Sequence, residues 1–124
     1  MDIFNLRQTQ LQGTYDNITA LRSIVVNISD TCNRTCGFCV KSIYSGDTHQ
    51  ISIELAEKIK NDLIDIQFNG RIGINGFGEP FTHNNIVEIV NILSKVKCKW
   101  IEIQTNGDFL SKPLLYTLKQ AGCT

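Results

Sequence analysis

No stretch of this 124-residue chain approaches the roughly 20 apolar residues that a bilayer crossing needs, so no membrane-spanning helix is expected. Excess charge of either sign is also missing. Twelve Lys and Arg balance twelve Asp and Glu, which gives no clear signal for nucleic acid or an anionic membrane surface. The N-terminus has no basic segment leading into an apolar stretch, so no secretory signal is visible. Repeats and long low-complexity tracts are absent. An even complement of cysteines is absent too: the five present, without a signal peptide, argue against a secreted disulfide framework. The chain therefore reads as cytoplasmic, with thiols reduced or metal-bound, and its length suits one domain.

What is present alternates. Residues 1–22 are polar and Gln-rich and read as an N-terminal extension; residues 23–124 read as the core. Ile24 to Ile28 is short, β-branched and nearly all apolar, which predicts a strand buried on both faces. Ser52 suits the N-cap of a helix from Ile53 to about Ile66, with Leu55, Ile59, Leu63 and Ile66 on its apolar stripe. A second strand is expected over Arg71–Asn75. A second helix follows from about Asn84 to Lys95, burying Ile86, Ile89, Val90 and Leu93. Trp100–Gln104 reads as a third strand. Pro113 fits the first turn of a third helix ending near Gln120, with Gly122 at its C′ position.

Strand–helix alternation of this kind builds a parallel sheet with right-handed crossovers. A fourth strand would be expected where the sequence stops. The chain is thus expected to be the first half of a larger α/β barrel, or to have that barrel completed by a second chain. In the second and third strands, Ile72, Ile74, Ile101 and Ile103 fall on one parity, suited to a helix layer. Arg71, Gly73, Asn75, Trp100, Glu102 and Gln104 fall on the other, and this predicts a polar, ligand-filled lumen rather than an apolar barrel core.

Three cysteines crowd the segment after the first strand: Cys32-Asn-Arg-Thr-Cys36-Gly-Phe-Cys39. Thiolates are the preferred ligands of iron–sulfur clusters and of zinc. Structural zinc wants four protein ligands, usually as two pairs, and no second C-x₂-C or histidine pair is present. Gly37 would let the backbone turn tightly, and Arg34 and Lys41 favour thiolate over thiol. A loop without metal, or a zinc-stabilised binding module completed by Cys98, Cys123, His49 or His83, stays open at this point. Cys98 and Cys123 read more simply as small apolar packing residues.

Two further segments end strands where parallel α/β folds bind ligands. Gly76-Phe77-Gly78-Glu79-Pro80 closes the second strand. Its glycines allow close backbone approach, and Glu79 could accept a hydrogen bond from an ammonium group. Thr105-Asn106-Gly107 closes the third strand and is equally legible as a simple turn. His83 reads as a helix-start residue.

The C-x₃-C-x₂-C loop after a first strand resembles the signature of the radical S-adenosylmethionine (radical SAM) superfamily. The turn at 76–80 resembles that superfamily's GGE motif in a GxGEP form, with Phe77 separating the two glycines, and 105–107 resembles its TNG segment. The resemblance covers about residues 23–123. It implies the N-terminal half of a partial (β/α)₆ TIM-like barrel. It also implies a [4Fe–4S] cluster on Cys32, Cys36 and Cys39 with one iron open to S-adenosylmethionine. Phe38 would pack near the adenine, and Gly76, Phe77, Gly78 and Glu79 would hold the methionyl amino group. Thr105 or Asn106 would reach cofactor or substrate. The implied chemistry is reductive cleavage to a 5′-deoxyadenosyl radical, with a reductant such as flavodoxin or ferredoxin as partner. No substrate is implied. The competing expectation is a non-catalytic fragment or half of a split enzyme.

Overall fold

The computed structural model describes residues 21–43 and 48–124, so the expected extension over 1–22 lies outside the described residues except for its last two. Three strands, β1 (Ser23–Val26), β2 (Arg71–Ile74) and β3 (Trp100–Ile103), form one parallel sheet in the order β1-β2-β3. They alternate with helices α1 (Ile53–Asp65), α2 (Ile86–Leu93) and α3 (Lys112–Ala121), as the pattern predicts.

The strands run in lateral register. Ile24, Ile72 and Ile101 lie abreast, as do Val26, Ile74 and Ile103; between them run Val25, Gly73 and Glu102. Side chains alternate across a pleated sheet, so these rows belong to opposite faces. Ile72, Ile74 and Ile101 are 0–1% exposed and pack with Leu63, Ile89, Val90, Leu93 and Leu118 of the helices. Each fully buried side chain of this size contributes about 1.5–3 kcal/mol. This helix-covered face is the hydrophobic core.

The other face is polar, as the parity predicts. Arg71 pairs with Glu102 at 2.8 Å, both partly exposed, and Arg71 Nε donates to Ser23 Oγ at 3.2 Å. Burial of the first strand on both faces does not hold: Val25 is 55% exposed, because no layer covers the inner face among the described residues.

Local chemistry sets the helix ends. Ser52 caps α1 through its side chain, accepting from Leu55 N at 3.2 Å. Ser111, not singled out from the sequence, does the same for α3 by accepting from Leu114 N, and Gly122 closes α3 at φ 113°. Two sequence expectations need correction. The buried stripe of α1 runs through Ala56 and Leu63, and Leu55 is 43% exposed on its flank. The small Ala56 lets the helix approach its neighbours at the position that four-residue spacing had given to Leu55. The second helix starts at Ile86 rather than Asn84, because a 3₁₀ turn at Pro80–Thr82 comes first and His83 is extended.

Candidate cluster and nucleotide site

All three segments singled out above lie at the carboxyl end of the sheet. The cysteine loop leaves β1 through Asn27, whose Nδ2 donates to Asp30 Oδ1 at 2.8 Å. The returning chain closes the base of the loop: Ser29 and Gln50 form an antiparallel bridge, and Ile51 N donates to Ile28 O at 3.1 Å. Inside the loop, Cys39 N donates to Cys36 O at 2.9 Å. Cys39 then leads a 3₁₀ turn over Val40–Ser42. Arg34 N donates to Cys32 Sγ at 3.4 Å, and the three thiols are free and partly exposed. Gly37 has no positive φ, and an added Cβ there would meet nothing within 4 Å, so tight turning does not require it as expected. Phe38 is 95% exposed.

The turn after β2 is built differently. Gly76 has φ 152°, and a Cβ there would lie 2.3 Å from Asn27 Oδ1. A Cβ at Gly78 would lie 2.0 Å from Ser29 O and 2.6 Å from Thr31 O, so the turn presses its backbone against the start of the cysteine loop. Glu79 N donates to Thr31 O at 2.8 Å.

The Glu79 side chain is buried, and its carboxylate is a junction. Oε1 accepts from Thr105 Oγ1 at 2.6 Å and from Phe81 N at 3.2 Å, and Oε2 accepts from Asn106 N at 2.8 Å. Thr82 Oγ1 lies 2.8 Å from Ser29 Oγ and donates to neighbouring carbonyls, Thr31 O at 3.1 Å among them. Glu79 thus meets the Thr105 hydroxyl and the Asn106 backbone, while the Asn106 side chain bonds Asn33 and Asp108. Phe77 is 61% exposed and, with Asp30, Val40 and Lys41, lines a cavity of about 300 Å³ between this turn and the cysteine loop.

Of the residues that could complete a zinc site, His83, Cys98 and Cys123 are held elsewhere. His83 is buried with both ring nitrogens in use: Asn85 N donates to Nδ1 at 3.0 Å, so Nε2 carries the proton and donates to Ile51 O at 2.9 Å. His49 Nδ1 is 3.6 Å from Asp30 Oδ2. Cys98 precedes β3, and Cys123 Sγ donates to Ile101 O at 3.4 Å, which places both toward the amino end of that strand, away from the cysteine loop. Both pack against the core, and burial pushes their thiols above the ordinary cysteine range, toward the protonated form that binds metal poorly. Among the described residues no three His, Cys, Asp or Glu side chains are grouped around a single-ion position.

Sequence reasoning missed one cluster. Asp108, two residues past Asn106, accepts from Arg34 Nε at 2.8 Å, from Arg34 Nη2 and from Asn33 Nδ2 at 2.8 Å. Asn106 Nδ2 donates to Asn33 Oδ1 at 2.8 Å. The Asp108 bond holds the Arg34 guanidinium above its ordinary range, and the charges of Cys36 and Cys32 add to this. Reciprocally, Arg34 and Asn33 hold the Asp108 carboxyl below the ordinary range. Nothing in a linear pattern pairs positions 34 and 108.

Comparison with known proteins places this arrangement. Residues 26–124 match the family model of the Radical SAM superfamily. An S-adenosyl-L-methionine-dependent 2-deoxy-scyllo-inosamine dehydrogenase from Niallia circulans is 32% identical over 102 residues, covering 80% of this chain and 40% of that protein. A probable GTP 3′,8-cyclase from Saccharolobus islandicus (strain L.S.2.15 / Lassen #1) is 33% identical over 107 residues, covering 82% and 32%. Among solved structures, BtrN in complex with AdoMet and 2-DOIA superposes with a TM-score of 0.77 at 31% identity, over 82% of this chain and 42% of that one. The chain thus spans 32–40% of the length of these curated relatives.

Proposed function

The chain belongs to the radical SAM superfamily, and from that premise we propose that it binds a [4Fe–4S] cluster on Cys32, Cys36 and Cys39 and S-adenosylmethionine beside it. One observation supports this above the rest. Three free thiols share one loop at the carboxyl end of the sheet, directly against a glycine-lined turn, with no fourth ligand within the set. Three thiolates fit a cube with one iron left open; they do not fit closed structural zinc. Held by Cys32, Cys36 and Cys39 and reduced by an external donor, the cluster would supply one electron for cleavage of the sulfonium C5′–S bond to methionine and a 5′-deoxyadenosyl radical.

The protein's part is to hold and orient. Gly76, Phe77 and Gly78 would present backbone to the methionyl group, and the two glycines let that backbone close against Asn27, Ser29 and Thr31. Glu79 keeps that backbone in shape and brings Thr105 and Asn106 to the same rim. Phe77, at the cavity, and Phe38, on the cysteine loop, offer exposed aromatic faces for an adenine ring. The polar inner face, with the Arg71–Glu102 pair, is the side toward which a substrate would sit. The radical reaction, its substrate and an electron donor such as flavodoxin or ferredoxin belong to the proposal for the whole enzyme.

The test is anaerobic reconstitution. The expected result is about four irons and four sulfides per chain, a brown charge-transfer absorption, and a spectral response to added S-adenosylmethionine. One zinc with no chromophore would sink the proposal. Assay for 5′-deoxyadenosine under reductant then separates a catalytic chain from one that holds the cofactors without turnover. The second outcome is the expectation for a non-catalytic fragment or one half of a split enzyme.

A further inference from the structure

We propose that Asp108 is a positioning residue that shapes the cysteine loop before any cluster is present, through a side-chain clamp from the loop after β3 onto Asn33 and Arg34. The inference rests on the cluster reading for its purpose, but not for its geometry.

Four side-chain hydrogen bonds cross from the β3 loop to the residues between Cys32 and Cys36: two from Arg34 and one from Asn33 to Asp108, and one from Asn106 to Asn33. They join positions 73 to 75 residues apart. Few other bonds fix this stretch. Its backbone contributes the contact from Arg34 N to Cys32 Sγ, and the next turn begins only at Cys36.

An isolated surface ion pair would carry little weight, and both partners here are partly exposed. This one differs in two respects. The guanidinium meets both carboxylate oxygens as a fork, which fixes orientation as well as distance. The clamp is also anchored from behind. Asp108 N donates to Asn106 Oδ1 at 3.0 Å, and Asn106 N donates to the buried Glu79 carboxylate. A continuous hydrogen-bonded line therefore runs from the buried turn after β2, through the β3 loop, to the midpoint between the first two cysteines.

The arrangement also balances charge. Arg34 stands midway between Cys32 and Cys36 in the chain, and its guanidinium pairs with the Asp108 carboxylate. Partners of ligand-bearing loops orient the ligands and tune the centre. Asp108 would thus set both the spacing of the cysteines and the field at the cluster.

The decisive experiment begins with the apo chain. In Asp108→Ala, amide hydrogen exchange should accelerate over residues 32–39 and stay unchanged over α1. Unchanged exchange over 32–39, or acceleration spreading equally into α1, overturns the inference, and neither result depends on whether iron binds. In reconstituted protein, Asp108→Ala should release iron to a chelator roughly tenfold faster. Asp108→Asn, which keeps the shape and removes the charge, should move the cluster potential positive. Asp108→Glu should restore iron retention to within about twofold of the parent, because the fork's charge is kept. Iron release and potential indifferent to all three substitutions would also overturn it. A parent chain that takes up no iron would instead refute the cluster reading and leave the exchange result to decide the clamp.

Discussion

The turn after β2 buries its glutamate to 3% exposure and leaves no room for one added carbon at Gly78, whereas the loop after β1 leaves Phe38 95% exposed and surrounds Gly37 with open space. Both leave the same end of neighbouring parallel strands. One is fixed by its own close contacts. The other takes its order from outside: from the Ser29–Gln50 bridge at its base and the Asp108 clamp at its middle. Stability is concentrated in the turn, and the groups suited to chemistry are concentrated in the loop. Separating the two leaves thiols and aromatic faces accessible to a cofactor while a rigid backbone edge stands beside them.

Gly78→Ala is the harshest test of that contrast. A Cβ placed 2.0 Å from Ser29 O forces the turn off the cysteine loop, and the expected loss is about 3 kcal/mol. It would be read as a lower midpoint in urea unfolding of the apo chain; an unchanged midpoint would mean that the turn is as loose as the loop. Glu79→Gln comes next. It sets an amide N–H₂ against donors now satisfied by carboxylate, with an expected cost of about 2 kcal/mol by the same measurement. The smallest effect on folding belongs to Cys36→Ala, expected within about 0.5 kcal/mol of the parent in the apo state. Iron uptake by the same variant should collapse. A Cys36→Ala chain that unfolds as readily as Gly78→Ala would erase the distinction between the regions.

Much of the fold was legible because burial writes a period into the chain. Ile72, Ile74 and Ile101 share a parity and share a face, and Ile86, Ile89, Val90 and Leu93 recur at helical spacing and are all buried. Ser52 could be read as a cap because capping is local. Leu55 was misread because periodicity locates a stripe only to within a residue, and Ala56 occupies the tighter place. The three cysteines, the glycine–glutamate turn and Thr105-Asn106 were visible as segments. Their mutual bonding was not. The acidic side chain of Glu79 was legible as an acceptor at a strand end, whereas its depth and its partners Thr105 and Asn106 were not. Asp108 carried no signal at all, since its partners lie more than seventy residues away.

The Glu79 junction also constrains inheritance. Its carboxylate meets Thr105 and Asn106, while its backbone N–H meets Thr31, so three surface segments are co-dependent parts of one assembly. A chimera that replaced Glu79 without Thr105, or Thr105 without Glu79, would break the one bond that depends on side chains of both segments. Exchanging Glu79 and Thr105 together would keep that bond, while the contacts to Thr31 O and Asn106 N need only the backbone path.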